Sequence, residues 1–184
     1  MLSILQEKIG EVDIAMFTTL SPEGNPHSRP MSTMKMDEEG ILWFFTSYHS
    51  KKCREIETSN NINLSYTDPD SQTFVSVTGV AQIINNKRKK TELWTPVLKA
   101  WFPLGIKDPD LRLIRIMITE AEYWDAGSNR MIQLFEMAKA LVNGEEFTNL
   151  THKKFNLNPE ADEQENSSSR AGTKRPGWNR YSKS

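Results

Sequence analysis

After a short opening segment, three stretches in a row read with the period of two that marks a strand: Val12 to Leu20, His27 to Met36 and Ile41 to Thr46. Only turn-rich links separate them, Ser21-Pro22-Glu23-Gly24-Asn25-Pro26 and Asp37-Glu38-Glu39-Gly40. A parallel neighbour needs a crossover of about a dozen residues or more, so strands this close pair antiparallel. The order disfavours a doubly wound parallel sheet, in which helices alternate with strands. Further strands are predicted from Ile62 to Tyr66, from Val75 to about Ile84 and from Leu111 to Ile118, with Glu120 to Trp124 as an extension or a seventh strand. Pro30 has no ladder donor and places the second strand at an edge or a bulge. Six or seven short strands with few helices predict a mainly β fold, an antiparallel barrel or sandwich.

Helices punctuate this pattern. Leu2, Ile4, Leu5 and Ile9 suit a short amphipathic helix ended by Gly10, a residue free to take the left-handed conformation. Ser50 is placed to cap a helix to about Thr58, its hydroxyl serving unpaired amides. Asn86 is placed to cap another through Lys87 to Trp94, interrupted at Pro96. A longer helix is expected from about Ser128 to Asn143, with Met131, Leu134, Phe135, Ala138, Leu141 and Val142 on one face.

The body is expected to span residues 1–157 and to be followed by a flexible tail over 158–184. The tail is acidic first and basic last, and beyond Leu157 only Trp178 and Tyr181 are large and apolar enough to dock. Over the whole chain 23 basic and 24 acidic residues give a formal net charge of −1, so no global field draws it to nucleic acid or an anionic membrane. One cysteine, Cys53, excludes an internal disulfide and a CxxC motif and reads as a buried thiol. No apolar run is long enough to span a bilayer. The opening residues lack the basic region and apolar stretch of a secretory signal, and cytoplasmic residence is the expectation.

The familiar catalytic motifs are missing. The sequence has no GxGxxG, no Walker loop, no GxSxG elbow and no HExxH, and its three histidines are scattered. No metal site is expected, and no general acid or base stands out. Three stretches carry chemistry nonetheless. Thr46-Ser47-Tyr48-His49-Ser50-Lys51-Lys52 leaves an aromatic strand and enters a helix N-terminus, mixing hydroxyls, cations and free amides in a way that suits a phosphate. A capped surface helix with two solvated lysines is the plainer reading of the same residues. In Ser28-Arg29-Pro30-Met31-Ser32-Thr33, alternation puts His27, Arg29, Met31, Thr33 and Lys35 on one face and Ser28, Ser32, Met34 and Met36 on the other. A mid-strand arginine either forks onto a ligand anion or meets water at an exposed edge. The segment Glu92 to Pro103 carries Trp94, Trp101 and Phe102, which are costly to expose. Core packing is its first reading; covering a flat ligand or burial in a partner are the others.

Taken in order, Ser28-Arg29-Pro30-Met31, Trp43-Phe44-Phe45-Thr46, Ser50-Lys51, Asn63-Leu64-Ser65-Tyr66, Val75-Ser76-Val77-Thr78-Gly79, Ala100-Trp101-Phe102-Pro103 and Glu122-Tyr123-Trp124-Asp125 reach a known pattern. From about Ile4 to Leu141 the chain resembles the general stress protein 26 branch of the pyridoxamine 5'-phosphate oxidase-related flavoproteins. The resemblance implies an FMN-binding split barrel, six antiparallel strands in a Greek key with flanking helices. It also implies a homodimer with FMN at the subunit interface. Phosphate contacts would come from Arg29, Thr46, Ser50 and Lys51, with Lys52 beside them. The backbone around Met31 and Ser32 would run along the isoalloxazine ring, with Phe45 before the phosphate threonine. Trp101 and Phe102 would close over the flavin from the other subunit. True pyridoxamine phosphate oxidases end in a tryptophan-to-arginine motif that holds flavin and substrate phosphate. Here Trp178-Asn179-Arg180 lies in the tail, so the resemblance supports FMN binding rather than pyridoxamine phosphate oxidation. The functional reading is an FMN-dependent oxidoreductase whose small-molecule donor is open. A flavin carrier or redox sensor without turnover is the alternative, and a small barrel binding single-stranded nucleic acid is disfavoured by the balanced charge.

Overall fold

A computed structural model describes residues 2–125 and 151–156. An opening helix α1 (Leu2–Gly10) leads into β1 (Ile14–Leu20), β2 (Pro26–Ser32), a two-residue β3 (Lys35–Met36) and β4 (Ile41–Ser47). Helix α2 (Lys51–Thr58), β5 (Asn61–Asp68), β6 (Thr73–Ile84) and α3 (Lys87–Leu93) follow. Two 3-10 turns (Pro96–Ala100 and Gly105–Lys107) precede β7 (Leu111–Asp125) and β8 (Thr151–Asn156). The expected helix over Ser128 to Asn143 and the tail over 158–184 lie outside the described residues.

Every strand pairing is antiparallel, in the order β2-β1-β5-β6-β7-β4-β3, with β8 on the outer half of β7. The ends of this sheet are joined by the chain itself. Thr33 N donates to Asp13 O at 2.8 Å, extending the β1–β2 ladder, and Met34 N donates to Trp43 O at 2.8 Å, extending β3–β4. Between these adjacent residues the strand leaves one edge and joins the other. Taken as one bent strand, β2 and β3 give the six-stranded antiparallel Greek-key barrel expected, with β8 added outside it. Of the two readings of Glu120 to Trp124 the extension holds, since it is the second half of one unbroken β7, whereas β8 was not anticipated.

The bend at Thr33-Met34 also corrects the predicted face pattern. His27, Arg29 and Met31 alternate with exposed neighbours as expected, but beyond the bend Met36 is buried in the barrel and Lys35 is exposed. Changing pairing partners within two residues inverts the phase of a period-two element. The barrel interior is filled by Phe17, Leu42, Phe44, Leu64, Tyr66, Val75, Val77, Ile114 and Ile116, with Phe17 and Phe44 meeting edge to face at 5.5 Å. Leu5 and Ile9 of α1 and Ile56 of α2 close its ends. Strand β4 is buried on both faces, because Ile41, Trp43 and Phe45 face outward into a second cluster with Leu93, Leu98, Leu111 and Leu113. That explains a near-continuous apolar run in an antiparallel sheet.

Gly79 marks a register shift in the β6–β7 ladder. A Cβ there would stand 2.6 Å from Met117 O, so only glycine lets the two backbones approach. Gly40 takes φ +79 in the β3–β4 turn, whereas Gly10 ends α1 without a left-handed conformation.

Candidate functional site

The site is assembled where β4 runs into α2. Thr46 is the last inward residue of β4 and is 1% exposed. Its Oγ1 lies 3.3 Å from Ser50 Oγ. Ser50 occupies the N-cap position with extended backbone, but its side chain makes no capping hydrogen bond, contrary to expectation. Its hydroxyl turns toward Thr46 instead. The first turn of α2 carries no acidic side chain and begins with Lys51 and Lys52. An uncapped helix N-terminus with two adjacent ammonium groups is electropositive. Lys52 is half-buried, and desolvation, reinforced by the Arg29 charge, holds its pKa below the usual lysine value despite an opposing effect of Cys53. Lys51 is 64% exposed and reaches toward solvent.

Arg29 arrives from β2, and its partners were not legible in the sequence. Nη1 donates to Thr19 Oγ1 at 2.5 Å and to Phe17 O at 3.5 Å, and Nη2 donates to Glu55 Oε2 at 2.9 Å. Glu55 lies on the inner face of α2, 2% exposed. It also accepts from Thr19 Oγ1 at 2.5 Å, and its Oε1 sits 2.6 Å from His27 Nδ1 and 3.8 Å from Lys51 Nζ. Burial is the largest influence on its carboxyl and raises the pKa. Hydrogen bonds from Thr19, His27 and Arg29, with the Arg29 charge, outweigh it and pull the value down to about 2. The carboxylate is therefore ionised and can only accept, so His27 Nδ1 carries the proton it shares with Glu55. Sequence spacing could have hinted at Glu55: Cys53 and Ile56 flank it on the buried face of the helix, and Lys51 stands four residues before it.

The loop between β4 and α2 is clasped from outside by Asp110. Its Oδ2 accepts from Ser47 Oγ, and its Oδ1 accepts from His49 N at 3.2 Å and lies 2.6 Å from His49 Nδ1. Its carbonyl accepts from Tyr48 N at 2.9 Å. The Ser47 hydrogen bond is the main reason its carboxyl stays below the usual aspartate range. Arg112 stacks over the Tyr48 ring at 4.9 Å on the same side. Cys53 is a buried thiol, as expected, donating to Ser47 O at 3.3 Å from inside. His49 is turned to Asp110 and not to Cys53.

The residues expected along a flat ligand divide into two groups. Met31 packs against the barrel interior, and Ser32, its exposed neighbour, ends β2 just before the bend. Phe45 points the other way, into the outer cluster, with its ring 5.7 Å from Trp94 and 6.3 Å from Phe102. Core packing thus accounts for Trp94 and Phe102. It does not account for Trp101, which is 66% exposed beside exposed Val97 and Leu104. Among the described residues no cluster of histidine, cysteine or acidic side chains could hold a metal ion. No described helix is long and apolar enough to cross a membrane.

These features define a class first: an antiparallel split barrel with a hydroxyl-lined, cationic shelf where its central strand meets a helix. A family model for pyridoxamine 5'-phosphate oxidase like proteins matches residues 2–148, and the chain belongs to that family. Protein bli-3 of Neurospora crassa is 28% identical over 142 residues, 72% of this chain and 68% of that protein. The crystal structure of a general stress protein 26-related protein from Clostridium acetobutylicum superposes with TM-score 0.64 at 20% identity, covering 85% of this chain and 94% of the other. A general stress FMN/FAD binding protein from Xanthomonas citri gives TM-score 0.62 at 22% identity, covering 71% and 92%. At these identities the likeness to the two structures is one of fold.

Proposed function

We propose that this protein is a cytoplasmic flavoprotein that holds FMN by its phosphate and serves as an oxidoreductase, with the cofactor at the interface of a homodimer. The observation that carries this reading is the shelf at the end of β4. Thr46 and Ser50 offer hydroxyls, the start of α2 offers amides that no side chain caps, and Lys51, Lys52 and Arg29 offer charge. Short donors and fixed cations are the chemistry a phosphate monoester requires. Family membership, and a neighbour named for FMN/FAD binding, support the flavin as the phosphate's carrier. Met31 and Ser32 would flank the ring from β2. Phe45 would contribute backbone alone, because its side chain is committed to the outer cluster. Exposed apolar side chains such as Ile14 and Met16 on β1, and Trp101 on the 3-10 segment, support a second copy that covers them.

When bound, the flavin itself supplies hydride or electron transfer. The chain's own part is to bind and orient. Lys51, Lys52 and Arg29 would neutralise the phosphate, Thr46 and Ser50 would fix its oxygens, and Asp110 would keep the loop that carries them in place.

The test is the visible spectrum of the protein after addition of FMN and desalting. A retained yellow band is expected, and S50A/K51A should lose it through an FMN affinity weakened by roughly tenfold or more. A colourless wild-type protein, or a double variant with unchanged affinity, would overturn the assignment. Reduced nicotinamides added to the yellow protein then separate turnover from carriage: bleaching of the band marks an enzyme.

A further inference from the structure

Arg29 is the most highly coordinated cation of the shelf, and its coordination comes largely from the protein itself. A guanidinium has five N–H donors. Two on Nη1 go to Thr19 Oγ1 and Phe17 O, and one on Nη2 goes to Glu55 Oε2. Among the described residues, Nε–H and one Nη2–H are left for anything else. The same buried carboxylate draws on Lys51 at 3.8 Å, a stretched pair that leaves the exposed ammonium free to reorient. Counting fixed charges, Arg29, Lys51 and Lys52 supply three positive charges and Glu55 removes one, leaving two. A phosphate monoester at neutral pH carries about −1.5 to −2. Glu23, on the solvated β1–β2 turn, is a further carboxylate within Coulombic reach of Lys51 and His27.

We infer that Glu55 is a positioning residue that competes with the ligand phosphate for Arg29 and Lys51, and so sets the preference for phosphorylated over unphosphorylated flavin. The inference rests on the FMN reading given above. In the flavin-free protein Glu55 is the counter-charge that keeps Arg29 in a partly buried place. When FMN binds, its phosphate joins Glu55 at the same cations and must share them. Removing the negative charge while keeping the acceptor should leave Arg29 held through Thr19 and the amide oxygen. It should also release its full charge to the phosphate.

The experiment is fluorescence titration of the full-length wild-type protein and Glu55→Gln with FMN and with riboflavin, which has the same ring and no phosphate. FMN is expected to bind E55Q roughly tenfold more tightly than wild type, with riboflavin affinity unchanged. Equal or weaker FMN binding, or a parallel shift for both flavins, overturns the inference and leaves FMN binding itself standing. A wild-type protein that takes up no FMN overturns both. Should E55Q not hold its fold alone, FMN should restore it at a lower concentration than riboflavin does. Rescue by riboflavin at an equal or lower concentration, or by neither flavin, overturns the proposal.

Discussion

At the scale of single residues, Glu55 ties the fold to pH. Its carboxyl falls from the usual 4.5 to about 2 in the folded protein, because hydrogen bonds from Thr19, His27 and Arg29 and the Arg29 charge overcome the burial that raises it. A group whose folded pKa is depressed contributes stability above its unfolded value and loses that contribution as the folded state takes up its proton. The contribution of Glu55 should therefore be complete above about pH 5 and fall away between 4.5 and 2. Urea unfolding of wild type and E55Q from pH 7 downward checks this. Wild type should be the more stable by a constant margin near neutrality, and the margin should shrink below pH 4.5. A margin that stays constant to pH 3 would mean that the Glu55 carboxyl does not change its protonation with folding.

At the scale of elements, the β4–α2 connection depends on a turn distant in sequence. Asp110 lies 61 residues from His49, yet its carboxylate takes Ser47, His49 N and the His49 ring together. Replacing Asp110 with alanine removes these acceptors from a loop whose own backbone bonds are few. A loss of about 1–3 kcal/mol is expected, since hydrogen bonds to a charged acceptor are the stronger kind. For a chain of this length that is a fall in Tm of roughly 2–4 °C per kcal/mol. FMN affinity should fall with it, because Thr46 and Ser50 lose their fixed spacing. Thermal melts paired with FMN titration decide: a lower Tm with wild-type affinity would show that the clasp serves the fold alone. This contact illustrates what the sequence could and could not reveal. Strand positions, the turns at Pro22 to Pro26 and Asp37 to Gly40, and the shelf residues of β4 and α2 follow from local pattern, and local pattern is what a sequence displays. The partners Glu55 and Asp110 depend on which elements the barrel brings side by side. The reversal of face at Lys35 and Met36 has the same origin, since it is set by a change of neighbouring strand. Ser50 was readable as an N-cap by position, but the direction of its hydroxyl is decided by Thr46 across the loop.

At the scale of the molecule, several large apolar side chains stand exposed in the single chain. Val97, Trp101 and Leu104 project from the segment between α3 and β7, and Ile14 and Met16 from the outer face of β1. Burying such area is worth about 25 cal/mol per Å², and a single large side chain in water forgoes most of that. The interior cannot take them, because the barrel is already filled by Phe17, Phe44 and Tyr66 and the outer cluster by Trp94 and Phe102. A second copy would cover these positions, and on the proposed reading it would also supply the other wall of the FMN site. Light scattering of the FMN-loaded protein should then give twice the chain mass of 21.1 kDa. Met16→Lys places a charge in that face without touching the phosphate shelf. It should give the mass of one chain and, with it, a weaker hold on FMN. A Met16→Lys monomer that binds FMN as tightly as wild type would place the whole site within one chain and leave Trp101 without a part in it. A dimer that persists in this variant would mean that the copies meet elsewhere. Only a joint loss of dimer and flavin ties the exposed face of β1 to the shelf at the end of β4.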